Sequence, residues 1–450
     1  METIDDRFLA LHPRSAELAA EARRIFPGGV THDIRYFEPF GLYVDRAQGS
    51  RKWDVDGNEI IDYVMGHGAL LLGHAHPTLT DAIKRQVDRG THYGASHELE
   101  IAWARAVQGL IPSAEQVRFV SSGTEATMLA VRLARAFTGR SHLLKLRHHF
   151  HGWNDTIAAG GPSATDTYGS AGLPPEWADS IHVVDQHDTD AIGTALDSKA
   201  FAAVILEPTG YSWSTSPLDD TVPAFLRERT QETETILIFD EVITGFRASM
   251  SGAQGRLGIT PDLTTLAKIL AGGLPGGAVA GRADLLNQMT IDKEHPNPSR
   301  VGHPGTFNAN PLSSVAGTAM LTEVATGEPN ELANARAAQL TSGMNRLIRR
   351  AEVPGAAYAD ASMVHILLGR EVDAPIDDLT WNWGAAGAQA KVPHTPAKLV
   401  WPFSRAMLNR GVDLIHMGAM VSAVHSEADI DATLDAFEGS LADLRAEAIL

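Results

Sequence analysis

Two residues set the chemistry this chain could do. Asp240 ends the apolar run ILIF, and Lys268 lies twenty-eight residues later in an apolar stretch that runs into AGGLPGG. A carboxylate at a strand end and an amine with no charged neighbours suit an imine-forming cofactor. The amine condenses with an aldehyde, and the carboxylate keeps a proton on a heterocyclic nitrogen. Each also has a plainer reading. An Asp after a strand commonly caps a turn or helix, and a lysine on an amphipathic helix carries its ammonium out to water. Burial would lower the basicity of Lys268 and leave its amine free to condense.

Other stretches offer what such a cofactor still lacks. SSGTEA (121–126) joins the strand-like VRFV to a helix, so free backbone N–H groups and the hydroxyls of Ser122 and Thr124 could face a phosphate, with Gly123 between them. The alternative is an ordinary N-cap. LRHHFHGWND places Phe150 and His151 just after a strand, where an aromatic could stack on a planar ring. His149 and His151 alternate as metal ligands do, but no third ligand follows at a matching spacing. His148 and His149 also read as plain packing. Val242, two residues after Asp240, is placed to press on a ring face, and Glu207 precedes Pro208 in a comparable position. Thr306, in GTFNANPL, offers a hydroxyl and a backbone N–H. Arg35, in GGVTHDIRYF, is either a receptor for a substrate carboxylate or a surface arginine.

These side chains need a scaffold, and the hydrophobic pattern supplies one. VRFV (117–120), LLKL (143–146), IHVV (181–184), AAVILEP (202–208) and ILIFDE (236–241) read as apolar strands, with helices at 124–137 and around PAFLRERTQE. Strands apolar on both faces, alternating with helices, predict a mostly parallel sheet covered on both sides. Upstream lie a helix over 14–25, strand-like GLYVDRA and KWDVDG with a turn at Asp56-Gly57, and helices over 77–88 and 98–110. After Gly327 come a long helix, strand-like MVHILLG, a polar proline-containing stretch (371–396), a helix around 400–410 and a closing helix from near Glu427. That is the outline of a separate α+β domain. The expected division is 1–75, packing with the small domain, then 76–328 as the large domain and 329–450 as the small one.

Composition narrows the function classes. The chain has 450 residues, 44% of them hydrophobic, and a formal net charge of −18. That balance argues against nucleic acid or an anionic membrane as partner. The absence of cysteine excludes disulfides, thiolate catalysis and zinc–sulfur sites. The mixed, charged N-terminus and the lack of any membrane-length apolar run predict a soluble, cytoplasmic protein.

Taken together, these residues resemble the class III family of pyridoxal-phosphate aminotransferases, and within it the branch of glutamate-1-semialdehyde aminomutase. The matching pieces are PGGV with Arg35, DVDGNEIIDYV, LLGHAHP, SSGTEATMLAVRLARAFTGR, FHGW, DEVITGFR, PDLTTLAKILAGGLPGGAVAGR and GTFNANPL. The resemblance implies a seven-stranded, aspartate-aminotransferase-like large domain (fold type I) with a smaller α+β domain. It implies pyridoxal 5'-phosphate held as a Schiff base by Lys268, with Asp240 at the ring nitrogen. Val242 and Phe150 would take the ring faces, Ser122, Gly123 and Thr124 the phosphate, and His151 and Glu207 would lie in the cofactor pocket. Thr306 would reach the neighbouring subunit's phosphate in a homodimer, and Arg35, His67 and His416 would meet substrate.

Three positions depart from the aminomutase pattern. His67 stands for a tryptophan, Phe150 for a tyrosine and Met417 for a glutamate. On those departures, together with Arg35, the expected reaction is transamination, from an amine or a β- or ω-amino acid donor to a 2-oxo acid acceptor. Aminomutase-type isomerisation and racemisation are the alternatives.

Overall fold

The structure is a computed structural model that describes residues 2–160, 171–210, 212, 215–294, 297–298, 300–370 and 395–450. The stretch read from sequence as 371–396 lies outside them, apart from its last two residues. The described chain forms two compact units: one from 2–76, 331–370 and 395–450, the other from 77–330. Strands number β1 Val44–Gln48, β2 Arg51–Asp54, β3 Glu59–Asp62, β4 Gln116–Val120, β5 His142–Leu146, β6 Ile181–Val184, β7 Phe201–Leu206, β8 Ser216–Pro217, β9 Ile236–Asp240, β10 Leu263–Ala267, β11 Gly277–Gly281, β12 Gly355–Asp360, β13 Met363–Leu368, β14 Val412–Asp413 and β15 Gly418–Met420.

The unit 77–330 is built on a seven-stranded sheet in the order β4-β11-β10-β9-β7-β5-β6. β5, β6, β7, β9 and β10 pair in parallel, while β11 runs antiparallel to both β10 and β4. The run FAAVIL is buried at every position, as ILIFD and GAVAG are, because helices cover both faces. On one face the Gly123–Thr138 helix sends Ala126, Leu129, Ala130 and Leu133 against Val120, Ile205, Ile238 and Val279. On the other, Ile192, Leu196 and Leu226 pack on Leu144, Val204 and Leu237. The reversal at β11 follows from its short connection: the nine residues Lys268–Gly276 are too few for a crossover helix, so the chain turns straight back. Gly277 lets that return pass close to the first strand's exit, since a Cβ there would sit 2.5 Å from the Ser122 carbonyl oxygen.

The other unit joins the two ends of the chain. Its four-stranded sheet runs β1-β2-β3-β14, so a strand from residues 412–413 completes a sheet begun at residue 44. A three-stranded antiparallel sheet, β12-β13-β15, packs with the Ala397–Leu408 and Glu427–Ala446 helices around Phe403, Phe437, Met407 and Val364.

Candidate active site

In parallel sheets the loops at the carboxyl ends of strands carry the working residues, and here five strands deliver them to one edge. Ser122 follows β4, His148–His151 follow β5, Glu207 follows β7, Asp240 ends β9 and Lys268 follows β10. Ser122 is the N-cap of the Gly123–Thr138 helix, its hydroxyl accepting from Glu125 N at 3.2 Å. The hydroxyl is therefore engaged as a cap. The N–H groups of Gly123 and Thr124 have no acceptor inside the helix and remain available for an anion. Gly123 also admits Val242: a Cβ there would lie 3.0 Å from both of that valine's methyls. Gly152 does the same for Thr124, whose Oγ1 would be 2.6 Å away.

The Asp240 carboxylate is buried and fully oriented. Oδ1 accepts from Val242 N at 3.1 Å and from Thr265 Oγ1 at 3.0 Å, and Oδ2 lies 2.7 Å from His151 Nδ1. The other ring nitrogen of His151 is buried without a partner among the described residues. Burial lowers the basicity of His151 despite the carboxylate beside it. Glu207 accepts from Phe150 N at 2.8 Å and from Ser212 N at 3.0 Å, so it fixes the loop that carries this aromatic residue, which is 54% exposed. His149 is buried between Gln186 Oε1 (2.9 Å) and Glu207 N (2.9 Å), which accounts for its ring as a strut of the site.

Lys268 takes a left-handed backbone, φ +52°, as the chain leaves β10. Such a conformation in a long side chain marks a constrained position. Desolvation depresses its pKa; the charge of Arg247 works in the same direction, against the opposing pull of Asp240 and Glu207. An amine of depressed basicity, a buried carboxylate and the first N–H groups of the Gly123–Thr138 helix make a set that fits an aldehyde, a basic ring nitrogen and a phosphate on one molecule. Thr306 lies in an exposed turn, next to Phe307, which is 62% exposed; two residues on, Asn308 Oδ1 accepts from Ser121 Oγ at 3.4 Å.

The three residues expected to meet substrate fall in the other unit, and the structure brings them together. Arg35, His67 and His416 line one cavity of about 500 Å³, along with Lys52, Asp413, Tyr36 and Phe37. His67 and His416 both have left-handed backbones, φ +56° and +54°. Burial lowers the pKa of His416, against the charge of Asp413. Arg35 is exposed and donates to Thr31 Oγ1 at 3.1 Å.

The sequence matches the profile described as Aminotransferase class-III over residues 35–422. The chain belongs to that family. A glutamate-1-semialdehyde 2,1-aminomutase of Archaeoglobus fulgidus is 37% identical over 435 residues, which is 95% of this chain and 99% of that protein. Among solved structures, an omega-transaminase from Sphaerobacter thermophilus has a TM-score of 0.85 at 32% identity, covering 96% of this chain and 98% of that one. A glutamate-1-semialdehyde aminomutase from Pseudomonas aeruginosa PAO1 has a TM-score of 0.83 at 26% identity, covering 97% of this chain and 96% of that one. The fold is thus the type I architecture of pyridoxal-phosphate enzymes, and pyridoxal 5'-phosphate is the cofactor. The donor set at the sheet edge fits that cofactor, as does the buried, unpartnered His151 Nε2 beside Asp240.

The relatives also correct one expectation. Transamination was inferred from His67, Phe150 and Met417 together with Arg35, yet relatives that cover 95–96% of this chain are named as aminomutases. The inference failed because a few side chains were weighed against a similarity that extends over nearly all of the chain. The sequence reading also missed Lys145, Thr265 and Thr127, whose Oγ1 donates to the His151 carbonyl at 2.6 Å. Lys145 alone had a signal: a single charge inside an apolar strand, LLKL, has to be buried with a purpose.

Proposed function

We propose that the chain is an aminomutase of the glutamate-1-semialdehyde type, moving an amino group between adjacent carbons of one small, carboxylated amino-aldehyde. The 37% identity to the Archaeoglobus fulgidus aminomutase, spanning 99% of that protein, carries this reading. Bound pyridoxal phosphate supplies a carbonyl for the substrate amine and an electron sink for the carbon that loses a proton. Lys268 holds the cofactor through Nζ, and its depressed basicity lets the same amine accept and return a proton at the substrate carbon. Asp240, oriented by Thr265 and His151, keeps the proton on the ring nitrogen. Val242 supports one ring face through the space left at Gly123, and Phe150 covers the other. The free N–H groups of Gly123 and Thr124, with Ser122, hold the phosphate. Thr306 serves the phosphate of a second copy in a homodimer, which its exposed turn permits. Arg35 receives the substrate carboxylate, with His67 and His416 lining the same cavity.

The test is single-substrate turnover. Purified enzyme given only 4-amino-5-oxopentanoate is expected to yield the 5-amino-4-oxo isomer with no 2-oxo acid added. Amino transfer that requires an added 2-oxo acid, with no isomer formed, would overturn the assignment. Arg35→Ala is expected to raise KM at least tenfold, consistent with loss of a charge-assisted contact of about 1.5–3 kcal/mol.

A further inference from the structure

Arg35 needs more than its own loop to aim it. It is exposed, and among the described residues its guanidinium hydrogen-bonds only to Thr31 Oγ1, four residues back, at 3.1 Å. The Asp33–Arg35 turn is a single 3₁₀ turn, in which Arg35 N donates to His32 O and Tyr36 N to Asp33 O, both at 2.9 Å. Few hydrogen bonds on an exposed segment leave it free to move. Rings on either side of the turn supply the missing restraint. Upstream, His32 meets His67 edge to face, with centroids 5.3 Å apart. Downstream, Trp401 meets Tyr36 at 6.3 Å and Phe37 at 5.0 Å, both edge to face. Such pairs are attractive and directional.

Trp401 is half-buried on the Ala397–Leu408 helix. Its indole also meets His416 edge to face at 5.3 Å, so it joins the two residues that follow Arg35 to that histidine. One turn along the same helix, Arg405 Nη1 donates to Glu38 O at 2.7 Å. Phe37 is rooted in turn on the buried ring of Phe8, 5.8 Å away. The helix thus grips the chain just after Arg35 by a ring and by a guanidinium. The placement of Trp401 separates its role from that of its neighbours. Tyr36, Phe37 and His416 line the cavity with Arg35, whereas Trp401 does not. Any influence of Trp401 on a ligand there passes through the rings it touches.

We propose that Trp401 is a positioning residue that fixes the Arg35 turn through Tyr36 and Phe37 and so sets the affinity for the substrate's carboxylate. This rests on the reading above that Arg35 receives that carboxylate, and not on which reaction follows. The test titrates the pyridoxal-phosphate-loaded enzyme with 5-aminopentanoate and with pentan-1-amine, which lacks the carboxylate, and follows the cofactor's absorbance. Wild type should prefer 5-aminopentanoate, and Arg35→Ala should abolish the preference. Trp401→Leu should raise the dissociation constant for 5-aminopentanoate about threefold to tenfold, the scale of losing the preorganisation of one side chain. Binding of pentan-1-amine should not change. Trp401→Phe, which keeps a ring edge, should recover most of the affinity, and in the Arg35→Ala background Trp401→Leu should add nothing. Unchanged affinity for 5-aminopentanoate, equal weakening of both amines, or a full further loss on top of Arg35→Ala would overturn the proposal. If Trp401→Leu does not fold, Trp401→Met, which fills more of the space without a ring, carries the same test. Failure of both to fold would assign Trp401 to packing and overturn it. If Arg35→Ala keeps the preference, the carboxylate reading falls and the proposal with it. If Arg35→Ala abolishes the preference and Trp401→Leu leaves it intact, the proposal alone falls.

Discussion

At the scale of single residues, the charge on Asp240 can be separated from its shape. An asparagine there keeps an Oδ1 acceptor for Val242 N and Thr265 Oγ1, and its amide can face His151 in the other tautomer. Asp240→Asn should therefore fold as the wild type does while losing the anion that holds a ring proton. The expected outcome is a fall in kcat of about 10²–10³-fold, the usual scale for removing one preorganised electrostatic partner. Turnover measured beside an unchanged melting temperature checks it. Asp240 and His151 were legible in sequence because a strand end followed by a turn is a local pattern, and Lys268 because it is a lone charge in an apolar run that leads into glycines. Ser122 was legible as a position but not as a role, since whether a hydroxyl caps its own helix or faces a ligand depends on Glu125 N. Lys145 was visible as a lone charge in an apolar strand, but its partners Ile157 and Ala159 were not, because the fold brings them to it. His67, Phe150 and Met417 were legible but misleading about the reaction.

Elements make their own demands, and the Gly252–Leu257 helix beside the site shows them. Glu241 caps its start: the carboxylate accepts from Ala253 N at 2.6 Å, Gln254 N at 3.0 Å and Gln254 Nε2 at 3.0 Å. Gly252 has φ +70°, and a Cβ on it would fall 2.4 Å from Glu241 Oε2. Gly258 at the other end has φ +67° but open space around it. Gly258→Ala should cost only the left-handed strain, about 1 kcal/mol. Gly252→Ala adds displacement of a buried carboxylate and should cost roughly 2–4 kcal/mol. Denaturant unfolding of the two variants side by side checks the difference, and equal losses would refute it. Most elements followed from hydrophobic pattern and start signals; the helices Pro77–Val87 and Glu98–Leu110 end within a residue of where the sequence puts them. β10 and β11 were not read as strands, because LTTLA mixes threonines into an apolar run and GAVAG offers little side chain. Their burial is resolved by partners elsewhere: Thr264 Oγ1 meets Ser113 Oγ at 2.8 Å, and Thr265 serves Asp240.

At the scale of the whole chain, one unit depends on both ends meeting, and a buried histidine makes that meeting sensitive to acid. β14 pairs in parallel with β3, a closure over some 350 residues that local pattern could not reveal and that favours slow folding. His425 sits at this junction, its ring stacked on Tyr63 at 4.3 Å. Nε2 lies 3.2 Å from the Asp62 carbonyl, and Nδ1 accepts from Ser422 N at 3.0 Å, an arrangement satisfied only by the neutral ring. Burial pushes its pKa down to about 4, against about 6.5 in an unfolded chain. The unfolded chain thus takes up a proton that the folded chain refuses between those values. The stabilisation is complete above pH 6.5 and is lost as pH falls to about 4, by roughly 3 kcal/mol in all. His149 and His151 are shifted in the same direction, so the wild-type profile alone would not isolate this residue. Comparison with His425→Gln does: Gln lacks the titration, so the difference in unfolding free energy between the two proteins should narrow as pH drops from 6.5 to 4. A difference that stays constant across that window would mean that His425 is not held neutral by the fold.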